Sequence, residues 1–578
     1  MSDEKSMQAL LGDEAVAAGA LHAGLSAAYG YPGTPSTEIL EYLLEVYRKR
    51  REKGEAKPGN FSAHWCSNEK TALEAALGVS FAGRRSIVTM KHVGLNVAGD
   101  PFINGALLGI KGGLVLAVAD DPGMHSSQGE QDSRYYAAFA MIPCLEPRTQ
   151  QEAYDMTREA FEISERFHVP VMLRLVTRLS HARSQVRFQR EREANPLSRI
   201  TDKTEWMLLP AFARRNYARL IEKQKEIAEW AQAHPVNKTE PAAGAAGSPS
   251  ERGKKDLVVI TSGLGGNYYE ENLADLAASR GGSPPRLHIG AYPLPVESIR
   301  RLCEGAVTAL VIEEGQPFIE ERLRGILPQS IAIAGKLGDG KGGPGLAPRT
   351  GELDPDNVRK ALGLLPRPGI LSVMETGALP PSLPNRPPQL CQGCPHGDSY
   401  ETIRKAMAGF DPALSAVTSD IGCYSLGAMP PYEVPESIVC MGASIGMAKG
   451  AVDSGLKYVT AVIGDSTFIH SGITALIDAA AANAAMTVAI LDNSIVAMTG
   501  CQNTMVPSDK LEALIRGLGL DGDHLVVLEA KKQLVEENAK LLRKEIEYPG
   551  LSVVIFRREC LEAARKRAKA KKSVREIL

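Results

Sequence analysis

Gly464-Asp465-Ser466 and Asp492-Asn493-Ser494 put a carboxylate and a side-chain amide at the ends of two apolar runs, YVTAVI at 458–463 and TVAIL at 487–491. Both runs are rich in β-branched residues and read as buried parallel strands, with a helical stretch at 471–483 between them. Each polar residue then lies at the carboxyl end of its strand, where open α/β sheets bind ligands. Mg²⁺ bridging a diphosphate takes few oxygens from protein and the rest from phosphate and water. Asp465 and Asn493 could supply two of them and the Ile495 carbonyl a third. Backbone N–H groups at the helix start beside Gly464 and Ser466 would face the phosphates. The bland alternative is two strand-end turns, since Asp, Asn, Ser and Gly favour turns for local reasons.

Cysteines form the second constellation. Cys391-Gln-Gly-Cys394-Pro-His is followed, after 28 residues, by Cys423, and Cys560 lies just past an apolar run at 551–556. Three chemistries fit the pair at 391 and 394: a Zn²⁺ site needing two further ligands, a redox dithiol outside a thioredoxin context, or a [4Fe–4S] cluster with dispersed thiolates. Cys423 and Cys560 also follow strands or turns, so all four could converge on one sheet edge, with Cys501 the rival fourth ligand. Cys66, Cys144, Cys303 and Cys440 read as buried apolar thiols. The amino terminus is charged and lacks a signal-peptide core, which argues against a disulfide framework.

Upstream, Thr34 sits between two prolines in Tyr31-Pro-Gly-Thr-Pro-Ser-Thr-Glu38, where Ser36 or Thr37 could cap the next helix. Glu69 opens a helix rich in small residues, where the dipole favours its charge. Residues 91–100, including His92, read as a polar loop after a strand at 86–90, and 125–134 as a loop whose hydrogen-bonding groups suit binding more than connection. Gly442 precedes another small-residue helix.

These pieces require an α/β chain of several doubly wound parallel-sheet domains. The boundaries expected are 1–190, a helical segment and flexible linker at 191–256, a compact α/β unit at 257–345, a Pro-rich connector at 346–389 and a last domain at 390–578. Gly263-Leu-Gly-Gly266 lacks the third glycine and the acidic residue of a dinucleotide fingerprint and reads as a tight turn. A net charge of −2 gives no reason to expect nucleic acid or an anionic membrane as partner. No apolar run reaches the roughly 18 residues of a membrane span, so the expected compartment is cytoplasmic.

In order and spacing, several motifs together resemble the α subunits of indolepyruvate ferredoxin oxidoreductases, within the thiamine-diphosphate-dependent 2-oxoacid oxidoreductases. They are YPGTPS at 31–36, NEK at 68–70, MKHVGLN at 90–96, SSQGEQD at 126–132, CQGCPH at 391–396, DIGCY at 420–424, GDSTFIHSG at 464–472 and LDN with AMTG between 491 and 500. The resemblance covers almost the whole chain. It implies a pyrimidine-binding-type domain at 1–190, a transketolase C-terminal-like domain at 257–345 and a thiamine-diphosphate-binding domain at 390–578. Asp465, Asn493 and Ile495 would be Mg²⁺ ligands, Gly442, Gly464 and Ser466 would line the cofactor, and Glu69 would hydrogen-bond its aminopyrimidine ring. Thr34 would face the oxoacid, with His92 and loop 125–134 also in the pocket. Cys391, Cys394, Cys423 and Cys560 match ligands of a [4Fe–4S] cluster.

The implied reaction is oxidative decarboxylation of an aryl-pyruvate-type 2-oxoacid, with two electrons leaving singly through the cluster and coenzyme A taking the acyl group. Glu69 and Asp465 fall in different domains, so the resemblance implies an active site between two copies of the chain. The sequence runs to Leu578 without the ferredoxin-like domain usual in such subunits. The expectation is a smaller β (γ-type) subunit, a heterotetramer or larger assembly on an α–α dimer, and a ferredoxin or other electron carrier. A non-oxidative decarboxylase or lyase with structural cysteines is the alternative within the same cofactor chemistry, and a non-catalytic assembly subunit is the alternative outside it.

Overall fold

Strands Leu114–Asp120, Val171–Val176 and Thr487–Asp492 are buried along their whole length, as strands covered by helices on both faces must be. The computed structural model describes residues 7–55, 61–244, 255–338, 344–367, 388–518 and 522–577. It divides into two compact units, Met1–Pro381 and Ser382–Leu578.

The first unit holds two main sheets. One has seven strands in the order Ala291–Tyr292, Cys144–Leu145, Val171–Val176, Leu114–Asp120, Ser86–Lys91, Ala27–Gly30 and Ser62–Trp65. All pairs are parallel except that of Ala291–Tyr292 with Cys144–Leu145. From Ala27–Gly30 the chain goes to Ser62–Trp65 on one side and then to Ser86–Lys91 on the other. The loops leaving Gly30 and Lys91 therefore flank a topological switch point, the usual ligand crevice of such sheets.

The other sheet runs Ala332–Ala334, Ala306–Ile312, Lys255–Ser262, Arg286–Ile289 and Thr239–Glu240, the last antiparallel. A buried ionic cluster joins the two sheets. Arg134 lies 2.5 Å from Asp132 and 3.0 Å from Glu313, while Arg174 lies 2.7 Å from Asp120 and also pairs with Glu146. Removing one partner from such a buried set costs about 3–5 kcal/mol, because a charge is stranded.

Three local expectations change. Residues 91–100 are not a loop: helices His92–Val97 and Gly99–Leu107 follow the strand directly, because Leu95, Ala98 and Phe102 form a buried stripe at helical spacing. Ser36 and Thr37 do not cap the next helix with their side chains. Ser36 Oγ donates to Gly33 O, and Thr37 Oγ1 accepts from Gly33 N, which ties the turn to itself. Of the flexible linker expected within 191–256, residues 245–254 lie outside the described residues. The part before them is ordered by Asn237, which bonds Ala231 O, Ala291 O and the N–H groups of Gly290 and Ala291. Residues 368–387 of the Pro-rich stretch also lie outside the described residues.

The second unit is a six-stranded, wholly parallel sheet in the order Ser437–Ile438, Ser415–Ser419, Tyr458–Gly464, Thr487–Asp492, Ser552–Arg557 and Leu525–Glu529. Its switch point lies between Ser415–Ser419 and Tyr458–Gly464, whose carboxyl ends lead into Asp420 and Asp465.

Candidate functional site

Asp465 follows the strand Tyr458–Gly464 and starts a helical run that passes through a π-turn at Phe468–Gly472 and on to Ala481. π-Turns of this kind are frequent at functional sites. Asp465 is only 5% exposed. Its two oxygens accept from Ser466 N and Ser494 N, each at 2.9 Å. Burial, and then the charge of Asp492, push its carboxyl up to about 8. A carboxylate in that position calls for a cation, since a nearby positive charge restores the ionised form. Ser466 Oγ beside it is buried and finds no hydrogen-bond partner among the described residues.

Asn493 ends the neighbouring strand, also buried. Its Oδ1 accepts from Ile495 N at 3.1 Å, and its Nδ2 lies 3.0 Å from Nε2 of buried His396. Asp492, by contrast, is structural: it pairs with Arg557 at 3.0 Å and accepts from Ser508 Oγ at 2.7 Å. Across the switch point, Asp420 accepts from Gly442 N at 2.7 Å and Ser444 N at 3.0 Å and so holds the start of helix Ala443–Asp453. Gly442 has φ +89°, and a Cβ there would lie 2.4 Å from Ser471 Cβ, so only glycine brings these two segments together. The oxygens of Asp465 and Asn493 and the orphaned hydroxyl at one crevice fit a Mg²⁺-diphosphate group.

The cysteines lie along the same sheet edge. Cys394 N donates to Cys391 O, and Cys560 N donates to Asn493 O. Cys423 is within electrostatic reach of Cys394, Cys560, Cys391 and Cys501, and burial pushes its thiol up to about 12. Among the described residues no three His, Cys, Asp or Glu side chains are drawn together at metal-binding geometry. The thiol set fits a cluster in donor chemistry. Ligation would have to draw the sulfurs inward and displace their protons.

In the first unit Glu69 is the first residue of helix Glu69–Phe81, capped by Asn68, and is 4% exposed. Its carboxyl lies against Gly94, where a Cβ would come within 2.5 Å of Oε1, so Gly94 lets helix His92–Val97 approach the acid. A buried carboxyl at a helix start, with backbone pressed close beside it, fits an aminopyrimidine partner. Thr34 is half-buried, and its carbonyl accepts from Ser126 Oγ at 3.1 Å. His92 is buried, with Nε2 3.0 Å from Gly129 O; this pins the loop, and Nδ1 has no partner among the described residues. Part of the polarity of loop 125–134 is structural, since Asp132 and Arg134 belong to the ionic cluster and Asp121 accepts from Ser126 N and Ser127 Oγ.

Lys91 was missed by sequence reasoning. It ends the strand at the switch point, is 8% exposed, packs its stem on Gly33 and donates from Nζ to Ser126 O at 2.8 Å. Burial pushes its amine down to about 8, with Asp121 and Glu69 pulling the other way. The usable signal was a lysine closing an otherwise apolar strand, SIVTMK. Among the described residues no helix is long and apolar enough to cross a membrane.

Comparison with known proteins follows the same division. Residues 18–207 match the family described as pyruvate flavodoxin/ferredoxin oxidoreductase, thiamine diP-binding. Residues 420–556 match the thiamine pyrophosphate enzyme, C-terminal TPP binding domain. Indolepyruvate oxidoreductase subunit IorA of Archaeoglobus fulgidus is 36% identical over 574 residues, covering 95% of this chain and 86% of its own length. The protein of that name from Methanothermobacter marburgensis is 35% identical over 570 residues, covering 96% and 86%. A solved 2-oxoglutarate:ferredoxin oxidoreductase from Magnetococcus marinus, with 2-oxoglutarate, coenzyme A and succinyl-CoA bound, aligns at a TM-score of 0.45 and 16% identity. That alignment covers 57% of this chain and 62% of the solved one.

Proposed function

The chain belongs to the family of indolepyruvate oxidoreductase subunit IorA, and from that membership we propose that it catalyses thiamine-diphosphate-dependent oxidative decarboxylation of an aryl-pyruvate-type 2-oxoacid to its acyl-CoA. The observation that carries this reading is Asp465: a buried carboxyl pushed up to about 8, beside an orphaned Ser466 hydroxyl and the Asn493 amide at a switch point.

Bound thiamine diphosphate supplies the carbon nucleophile and the electron sink for the 2-oxo carbon. Asp465, Asn493 and the Ile495 carbonyl would hold Mg²⁺, and Gly442, Gly464 and Ser466 would line the diphosphate. Glu69 holds a proton at a ring nitrogen of the aminopyrimidine, which makes the exocyclic amino group a competent base. Its burial keeps water from competing for that proton. Lys91, charged below its depressed pKa, orients the oxoacid carboxylate from the crevice lined by Gly33, Thr34 and Ser126, with His92 fixing the loop behind. Cys391, Cys394, Cys423 and Cys560 would hold a [4Fe–4S] cluster, which would supply one-electron acceptance; Cys501 is the alternative to Cys560. The assembly is an α–α dimer bound to a smaller β (γ-type) subunit. Electrons pass to a ferredoxin or other carrier.

The test is an anaerobic iron and acid-labile sulfide assay, with a visible spectrum, on the chain purified with its smaller partner. Cluster-level iron together with 2-oxoacid- and CoA-dependent reduction of a low-potential dye is the expected result. Activity without iron would overturn the oxidative reading in favour of a non-oxidative decarboxylase.

A further inference from the structure

We propose that His396 is a positioning residue for the metal end of the site, fixing the Asn493 amide and tying it to both cysteine segments; this rests on the thiamine-diphosphate reading above. Asn493 Oδ1 accepts from Ile495 N, which sets the orientation of the amide and leaves Nδ2 facing His396 Nε2 at 3.0 Å. With Nδ2 as donor, Nε2 must accept, so the imidazole proton sits on Nδ1. The ring is 3% exposed and packs edge-on against Tyr424, with centroids 5.9 Å apart at 77°. An amide turned by half a revolution would present NH₂ to the cation and leave two acceptors, Oδ1 and Nε2, face to face. The Nδ1-protonated His396 disfavours that state, and so does Ile495 N–H, which would then face a second donor, so Oδ1 stays available as a metal ligand.

The same residue belongs to the cysteine turn. It lies two positions after Cys394 in the first turn of helix Pro395–Met407; burial pushes the Cys394 thiol up, and the N–H groups of His396 and Gly397 pull the other way. From the other side, Cys560 N donates to the Asn493 carbonyl at 3.2 Å. Segments far apart in the chain, those of Cys394 and Cys560, therefore meet on Asn493, one through its side chain and one through its backbone. The metal ligand and the cysteine loops are set by one hydrogen-bonded unit.

The test is a Mg²⁺ titration at saturating thiamine diphosphate, followed by intrinsic fluorescence. It uses anaerobically purified complex stripped of both, with iron content measured in parallel. His396→Leu and the shorter amide His396→Asn should raise the half-saturating Mg²⁺ concentration about 10–100-fold, the usual effect of removing an outer-shell partner. His396→Gln, whose Oε1 can accept from Asn493 Nδ2, should recover most of that loss. Binding by His396→Asn as tight as wild type, or by His396→Gln as weak as His396→Asn, overturns the assignment alone. Wild-type complex that binds no thiamine diphosphate overturns the functional reading and this assignment with it.

Discussion

Replacing Asp465 by Asn should make the cofactor-free protein more stable while abolishing its response to Mg²⁺ and thiamine diphosphate. The carboxyl is raised from 3.8 to about 8 by burial and by Asp492. An acid whose folded-state pKa is raised contributes fully below its unfolded pKa and loses that contribution as pH climbs towards the folded one. At about 1.36 kcal/mol per unit, the penalty reaches about 4 kcal/mol at pH 7 and levels off above about pH 8. Asn removes the titration but forfeits one of the two N–H bonds from Ser466 and Ser494, a loss of about 1–3 kcal/mol. A net gain of about 1–3 kcal/mol remains, or several degrees in the transition of a unit this size. Thermal unfolding of stripped wild type and D465N at pH 5 and pH 8 reads this directly. The advantage of the variant should grow between the two by about 3–4 kcal/mol. Wild type alone should shift upward on adding Mg²⁺ and thiamine diphosphate, by about 2.7 kcal/mol at a hundredfold excess over Kd. A variant less stable than wild type at pH 8, or one that keeps the ligand-induced shift, would refute the reasoning.

Glu69→Ala should lower turnover by about 10²–10⁴ while circular dichroism is unchanged; full activity would leave a non-catalytic assembly role. Lys91→Met should reduce kcat/KM by about 10–100-fold, the worth of one hydrogen bond to a charged group. In wild type kcat/KM should fall above about pH 8, as Lys91 loses its proton, and that limb should vanish in the variant. Cys391→Ser should lose iron, sulfide and the visible band under anaerobic purification, and retention of all three would remove Cys391 from the ligand set.

The strands that carry chemistry were legible because they are buried on both faces: Tyr458–Gly464 and Thr487–Asp492 fall within one residue of the apolar runs. Helix Gln150–Phe167 is just as local in origin: Thr149 caps it and its apolar stripe is unbroken. The helices after Lys91 were obscured by Gly94 and Gly99, which look like loop residues until the contact of Gly94 with Glu69 shows why a glycine is needed. Long-range partnerships were beyond any local pattern. Nothing near Asn237 announces that its amide closes the turn at Gly290 and Ala291, and nothing near His396 points to Asn493. Lys91 was passed over because its meaning lies in its burial, which composition alone does not reveal.

The strand Ala291–Tyr292, seated at the edge of the seven-stranded sheet beside Cys144–Leu145, bears on the order in which the chain can be assembled. A nascent chain of some 200 residues would already contain every other strand of that sheet. It would lack the edge strand, and Arg134 and Arg174 would lack Glu313 and the backbone carbonyl of Glu314. Until those residues emerge, an unpaired strand edge lies open to wrong partners. A gene fragment ending near residue 190 should therefore yield an aggregating product, and one reaching past 330 a tractable one.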